Sequence, residues 1–359
     1  MHPNKSKKEI AFLPLVERFI QDSKSGRRLQ PNGKRITKGC IRNYEQCLRL
    51  LRNFSEIKQF DLRIRPAASL TSRQTVTEKN YWKKFYQRFT DYLFNDCGHF
   101  DNYVGANMKL IRVFFHYAQH ELQIDTGLFY KQFYALKEDI PVITLLPEEL
   151  NFLIYNQRFE ESLSPFMQRV KDVFVFGCTV ALRYSDLMKL KQTNLRIHAD
   201  QWSLVVRSQK TATDTVIKLP DYAIAILQRY KKRKAGLLPF FSGSNFNKYV
   251  KRLAEQAGFV QPMDKYRSRR GVPVKIQTGS STRFCDLVST HTMRRSAITV
   301  MLSLGMPEQV VRKISGHAPG SKEFYRYVAI AQTYLDKETE LMHQKMKALS
   351  VKAEELVRA

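Results

Sequence analysis

What this 359-residue chain lacks already narrows its function. No apolar run approaches the roughly 18 residues that a membrane span needs, and no charged-then-apolar leader opens the chain, so a cytoplasmic protein without a membrane partner is expected. The five cysteines (Cys40, Cys47, Cys97, Cys178, Cys285) are odd in number and widely spaced, with no C-x-x-C pair. They suggest neither a disulfide framework nor a zinc knuckle and read as buried thiols. There is no G-x-x-x-x-G-K-S/T loop, no H-E-x-x-H helix and no clustered Asp/Glu site, so neither cofactor nor metal is expected. Internal repeats are absent, and the only biased segments are the basic clusters 231–234 and 267–270. Acidic residues are scarce: 33 Asp+Glu face 60 Lys+Arg, for a net charge of +27. The excess is +11 over residues 1–140 and +16 over 141–359, so both parts are suited to face a polyanion. With no membrane signal, nucleic acid is the polyanion indicated.

A chain of this length exceeds one ordinary core, and 43% hydrophobic residues are enough for two domains. Phe12, Leu15, Val16, Phe19 and Ile20 recur at helical spacing, as do Tyr44, Leu48, Leu51 and Phe54, the stretch 81–94, and the stretch 108–117. Residues 1–137 therefore read as a helical domain with basic faces. Pro141 interrupts the pattern within a linker at 138–146, and Pro147-Glu-Glu149 starts a new helix. The second domain is placed at 147–334, followed by a charged helical tail at 335–359 carrying Leu341, Met342, Met346, Leu349 and Val351.

Within the second domain, 173–182 is apolar almost all round and reads as a buried helix that delivers Arg183 to the edge of the core, with Asp186 three residues on. Alone, Arg-Tyr-Ser-Asp is equally a surface helix start with a capping Asp. Residues 202–207 and 215–219 alternate like strands of a β-hairpin whose connection carries Lys210, either a solvated charge or a group able to reach a leaving oxygen. Ser289 or Thr290 can cap a helix through Ile298, Met301 and Leu302, placing His291 and Arg294 on one face of its N-terminal turn, where backbone N–H groups favour an anion. A further helix after Pro307 turns Val310, Val311 and Ile314 inward and ends at Gly316, which throws out His317. Farther on stands Phe324-Tyr-Arg-Tyr327-Val328. Phe324, Tyr327, Val328 and Ala331 share one helical face, and Tyr325 points elsewhere.

Together these residues resemble the tyrosine recombinase (phage integrase) family. The helical N-terminal region, with its stretch from Asp22 to Tyr44, is similar to the SAM-like core-DNA-binding domain of transposon-type integrases. By this resemblance Arg183 matches the first catalytic arginine with Asp186 as its acidic companion, and Lys210 the hairpin lysine. His291 and Arg294 match the H-x-x-R pair, and Tyr327 the nucleophile. His317 matches the histidine of a Leu-Gly-His element, here Ile314-Ser-Gly-His317. The family commonly places its tyrosine nine residues after that histidine. This chain has Arg326 there, with Tyr325 and Tyr327 on either side, and helical phase selects Tyr327.

The resemblance implies a mainly α fold with a small β-sheet or hairpin in the catalytic domain, built as a two-domain C-shaped clamp. It implies a site-specific recombinase that cuts and rejoins double-stranded DNA through a 3′-phosphotyrosine, working as a homotetramer on paired sites in the nucleoid, with room for accessory DNA-bending proteins. The nine residues before the first helix suggest direct recognition of core sites only. Two other readings stay open: a type IB topoisomerase with similar chemistry, and a DNA-binding regulator without catalysis.

Overall fold

The computed structural model describes residues 9–199, 201–207, 214–233, 236–276 and 282–357, and the chain divides into two compact units. The first comprises residues 1–140 with 265–276, the second 141–264 with 277–359.

In the first unit a short antiparallel pair, β1 (Ile10–Ala11) and β2 (Arg63–Ile64), accompanies the helices α1 (Phe12–Ser25), α2 (Lys38–Ile57), α3 (Ser72–Asp91) and α4 (Asp101–His120). Their starts are capped as the sequence allows: Thr37 Oγ1 accepts from Cys40 N–H, and Thr71 and Gln74 cap each other. The expected apolar faces close on an aromatic core. Phe19 meets Tyr44, Phe114 and Tyr117, while Trp82 meets Phe12, Phe85 and Phe115. Each ring removed from water contributes on the order of 1.5–3 kcal/mol. One sequence expectation is corrected in part. Cys47, Cys178 and Cys285 are buried thiols, but Cys40 is exposed on the first turn of α2 and Cys97 is half-buried.

The second unit contains α5 (Pro147–Tyr155), α6 (Gln157–Ser162), α7 (Pro165–Val180) and α8 (Tyr184–Leu187). A three-stranded antiparallel sheet follows, β3 (Leu195–His198), β4 (Gln201–Arg207) and β5 (Asp214–Lys218), and then α9 (Asp221–Arg229) and α10 (Gly243–Gln256). The unit is completed by α11 (Phe284–Leu287), α12 (Thr290–Ser303), α13 (Glu308–Ser315) and α14 (Lys322–Val357). The helix α7 is buried along most of its length, as its all-round apolar sequence requires. At Gly177 it touches α12 so closely that a Cβ would lie 2.4 Å from Met293 Sδ. Leu145 N–H donates to Ser296 Oγ at 2.8 Å, fixing the entering chain to α12. The expected hairpin is β4–β5. The strand β3 is an addition the sequence concealed: its apolar–polar alternation spans only four residues, three of them exposed.

The remaining strands, β6 (Tyr266–Arg269) and β7 (Val272–Lys275), form a hairpin that lies within the second domain's sequence but packs in the first unit. Positive φ at Arg270 (55°) and Gly271 (78°) gives the twist such a turn needs. The hairpin is anchored by charge, since Val272 and Val274 are exposed. Glu138 accepts from Arg267 Nε and Nη2 at 3.0 and 2.7 Å and from Ser268 N–H at 2.5 Å. Asp101 accepts from the N–H groups of Arg270 and Gly271 at 2.7 and 2.8 Å. The ring of Phe100 lies beneath the Arg267 and Arg269 guanidiniums. The expected start of the linker, Glu138, is thus a buried anchor of the first unit.

Candidate active site

Four chain segments of the second unit converge at the C-terminal end of α7. That helix stops because Ala181 adopts a left-handed conformation (φ 54°). The conformation costs a non-glycine residue about 1 kcal/mol, and it turns the chain so that Arg183 leaves the core at the start of α8. Ala181 is fully buried, and its carbonyl is used. Arg294 of α12 donates to Ala181 O from Nη1 at 2.8 Å and to Ser315 O from Nη2 at 2.6 Å. One guanidinium therefore ties the end of α7 to the end of α13. Arg294 is only 7% exposed, and its pKa is drawn down to about 10, first by burial and then by repulsion from Arg183, while Tyr327 and Asp186 oppose the shift.

The next corner is His317. Gly316, left-handed at φ 64°, ends α13, and His317 N–H closes the turn on Arg312 O at 3.1 Å. Ser315 Oγ lies 2.8 Å from His317 Nδ1, and Arg294 Nη2 lies 3.4 Å from both ring nitrogens. Burial, followed by the charges of Arg294, Arg183 and Arg312, lowers the His317 pKa to about 4, so the ring is neutral at physiological pH.

Helix α14 supplies the tyrosine in the phase expected from the sequence. Phe324, Tyr327 and Ala331 are buried in a cluster with Ala181, Ala297, Ile298, Leu302 and Val311, and Val328 packs against it. The Tyr327 ring stands 6.0 Å from that of His317. Tyr325 is 53% exposed, with the Arg312 guanidinium 5.1 Å from its ring.

Arg183, Arg294, His317 and Tyr327 thus share one neighbourhood. Asp186 is buried beside them, its backbone N–H bonded to Arg183 O at 2.9 Å; among the described residues its Oδ1 lacks a hydrogen-bond partner. His291 is exposed on the first turn of α12, one turn before the buried Arg294. The preceding residue, Thr290, donates its N–H to Asn247 Oδ1 of α10 at 2.8 Å. Lys210 lies outside the described residues. Of the α13 residues expected inward, Val311 is buried and Ile314 half-buried, but Val310 is 42% exposed because the eight-residue helix turns only one narrow stripe to the core. Sequence reasoning missed Ser315 and Ala181, which act through a hydroxyl and a carbonyl. A serine two residues before a histidine at a helix end was the only signal for either.

Among the described residues no group of three His, Cys, Asp or Glu could hold a metal ion, and no helix is long and apolar enough to cross a membrane. The convergent groups are two guanidiniums, a neutral imidazole and a phenol, an arrangement able to receive an anionic phosphate and present an oxygen nucleophile to it.

Comparison with known proteins accords with this chemistry. Residues 156–333 match the phage integrase family. Among solved structures, a lambda integrase tetramer bound to a Holliday junction is similar at TM-score 0.59 and 14% identity, over 91% of this chain and 79% of that one. XerH recombinase bound to a palindromic difH substrate gives 0.55 and 12%, over 92% and 96%. The Tn1549 transposon integrase in complex with circular-intermediate DNA gives 0.54 and 16%, over 90% and 99%. No curated protein matches the sequence. At these identities the solved structures speak for the fold, and the family match speaks for the chemistry of the second unit. Through residues 156–333 the chain belongs to the phage integrase family, and it is a tyrosine site-specific recombinase.

Proposed function

We propose that Tyr327 is the nucleophile of this recombinase and that Arg183, Arg294 and His317 receive the scissile phosphate of double-stranded DNA. In this reading the Tyr327 oxygen attacks phosphorus in line and the bond to the 5′ oxygen breaks. The products are a 3′-phosphotyrosine and a 5′-hydroxyl, which takes up a proton. The arginines donate to the nonbridging oxygens where charge develops, Lys210 protonates the departing oxygen, and the site's two histidines, His291 and His317, manage the tyrosine proton. Because the phosphotyrosine keeps the bond energy, a second 5′-hydroxyl reverses the step on another strand without ATP. Asp186 balances Arg183 and Arg294. The single observation that supports this reading most is that Tyr327, not Tyr325, is turned into the cluster beside His317 and Arg294.

The first unit serves as a second DNA-binding surface and α14 as a docking element. Beyond Asp336 that helix exposes Leu341, Met342 and Met346, at 37, 50 and 61%, and these seat on a neighbouring subunit to build a homotetramer on paired sites. The lambda integrase tetramer on a Holliday junction supports that stoichiometry. Accessory DNA-bending proteins and a cytoplasmic, nucleoid-associated location fit the same role.

The test is a nicked suicide duplex, on which the short released strand diffuses away and traps the covalent adduct. Tyr327→Phe keeps the buried ring and removes the attacking oxygen, so adduct vanishes while DNA affinity persists. Tyr325→Phe leaves adduct formation intact. The opposite result would transfer the nucleophile to Tyr325, and adduct from both variants would end the assigned chemistry.

A further inference from the structure

We infer that Ser315 is a positioning residue for strand cleavage: its hydroxyl holds the neutral His317 ring with the proton on Nδ1 and so leaves Nε2 as the proton acceptor of the site. The inference rests on the active-site reading above and goes beyond it to a residue outside that set. Where the resembled family has leucine two places before its histidine, this chain has a buried hydroxyl.

The assignment follows from counting protons. Ser315 Oγ lies 2.7 Å from Val311 O, one helical turn back, and 2.8 Å from His317 Nδ1. A carbonyl oxygen has no proton to give, so two oxygens 2.7 Å apart require the serine proton between them. That proton is then spent, and the contact to Nδ1 closes only if Nδ1 carries its own hydrogen. Ser315 is 3% exposed, which leaves little room for water to supply either bond. Its carbonyl is occupied as well, accepting from Arg294 at 2.6 Å, so the residue is held at both ends.

The groups facing His317 are Arg183 from the residue before α8, Arg294 from α12, Arg312 and Ser315 from α13, and Phe324 and Tyr327 from α14. Three of these are cations, so the ring enters the reaction neutral, with a bare Nε2. A neutral ring in this tautomer has no N–H at Nε2 to offer a phosphate. It acquires one by taking the Tyr327 hydroxyl proton as the phenolate oxygen attacks phosphorus. The resulting imidazolium then donates Nε2–H to a nonbridging oxygen, and Nδ1–H stays on Ser315. The serine thus does for His317 what an outer hydrogen-bond partner does for a metal-bound histidine: it fixes which nitrogen works.

The tautomer is read directly by 15N–1H correlation of the histidine rings in the full-length protein, with His317→Gln identifying the signal. The expected spectrum shows a protonated Nδ1 and a bare Nε2, and Ser315→Ala moves the proton towards Nε2. On the suicide duplex Ser315→Ala binds DNA normally but forms adduct about ten- to a hundredfold more slowly, the range for loss of such a partner, and Ser315→Thr, which keeps the hydroxyl, restores the rate. A wild-type His317 carrying its proton on Nε2 overturns the inference even if Ser315→Ala fails to fold. So does a folded Ser315→Ala that cleaves at the wild-type rate. Tyr327→Phe in the same assay separates the two claims: persistent adduct there removes the active-site reading itself, whereas a failure confined to Ser315 removes only this inference.

Discussion

Replacing Arg294 by methionine separates what this residue does for the fold from what it does for the reaction. In the absence of DNA the buried guanidinium is an electrostatic burden. Its pKa is pulled down to about 10, which corresponds to roughly 3 kcal/mol against the charged form. Against that stand the bonds to Ala181 O and Ser315 O, two buried carbonyls whose loss of a donor costs about 1–3 kcal/mol each. Methionine fills much of the same volume without charge, so relief and loss nearly cancel, and Arg294→Met should melt within about 2 kcal/mol of the parent. The reaction has no such compensation: removing a preorganised donor costs on the order of 10²–10³ in rate, and adduct should fall accordingly. Inorganic phosphate should raise the melting temperature of the parent more than that of the variant, because an anion relieves the burden only where the cation remains. Thermal melting and adduct yield, measured on the same preparations, decide the matter. A loss above about 4 kcal/mol would show that the carbonyl bonds dominate and that the charge was never a burden; adduct at the parent rate would remove Arg294 from the chemistry.

Gly177→Ala should destabilise by about 1–3 kcal/mol and slow adduct formation, because the new methyl meets Met293 and pushes α12 off α7; wild-type melting would mean the two helices are not held at that distance. Truncation after Asp336 should spare binding to a single site and abolish cooperative occupancy of paired sites in gel-shift titrations, and unchanged cooperativity would refute docking through α14. Glu138 is buried, which by itself raises its pKa, but Arg267, the Ser268 N–H and the Asn102 contact outweigh burial and hold it below the usual carboxylate value. A carboxylate depressed in the folded state contributes stability above its unfolded pKa, and that contribution is lost as pH falls through the folded value, here from about 4.5 downward. Glu138→Gln should therefore cost about 2 kcal/mol at neutral pH and flatten the acid limb of stability, as followed by melting across pH.

The parts legible in the sequence were those governed by apolar periodicity. The phase of Phe324, Tyr327 and Ala331 placed the tyrosine, and the unbroken apolar run before Arg183 placed α7, because burial of large side chains decides both. The same rule failed at Val310, where a helix of eight residues carries too few positions for its phase to be read. It was silent where polar atoms do the organising. Ala181 O and Ser315 O bind Arg294 through backbone carbonyls that every residue possesses, so no side chain announces them. The β6–β7 hairpin escaped for a related reason: its valines face solvent and its arginines resemble a run of solvated charge, although Arg267 and Arg270 are committed to acids far away in sequence.

That hairpin also alters what a domain means in this chain. The acids that hold it, Glu138 and Asp101, lie before residue 141, and the segment they hold comes more than 120 residues later. A cut between residues 140 and 141 therefore does not yield two whole modules. The N-terminal fragment would keep a buried carboxylate stripped of its arginine, and the C-terminal fragment an arginine-rich ribbon with nothing to lie on. Chimeras that exchange DNA-binding modules between relatives must carry residues 265–276 together with 1–140, as a transplant in two pieces, or they will recombine the polypeptide without recombining the fold.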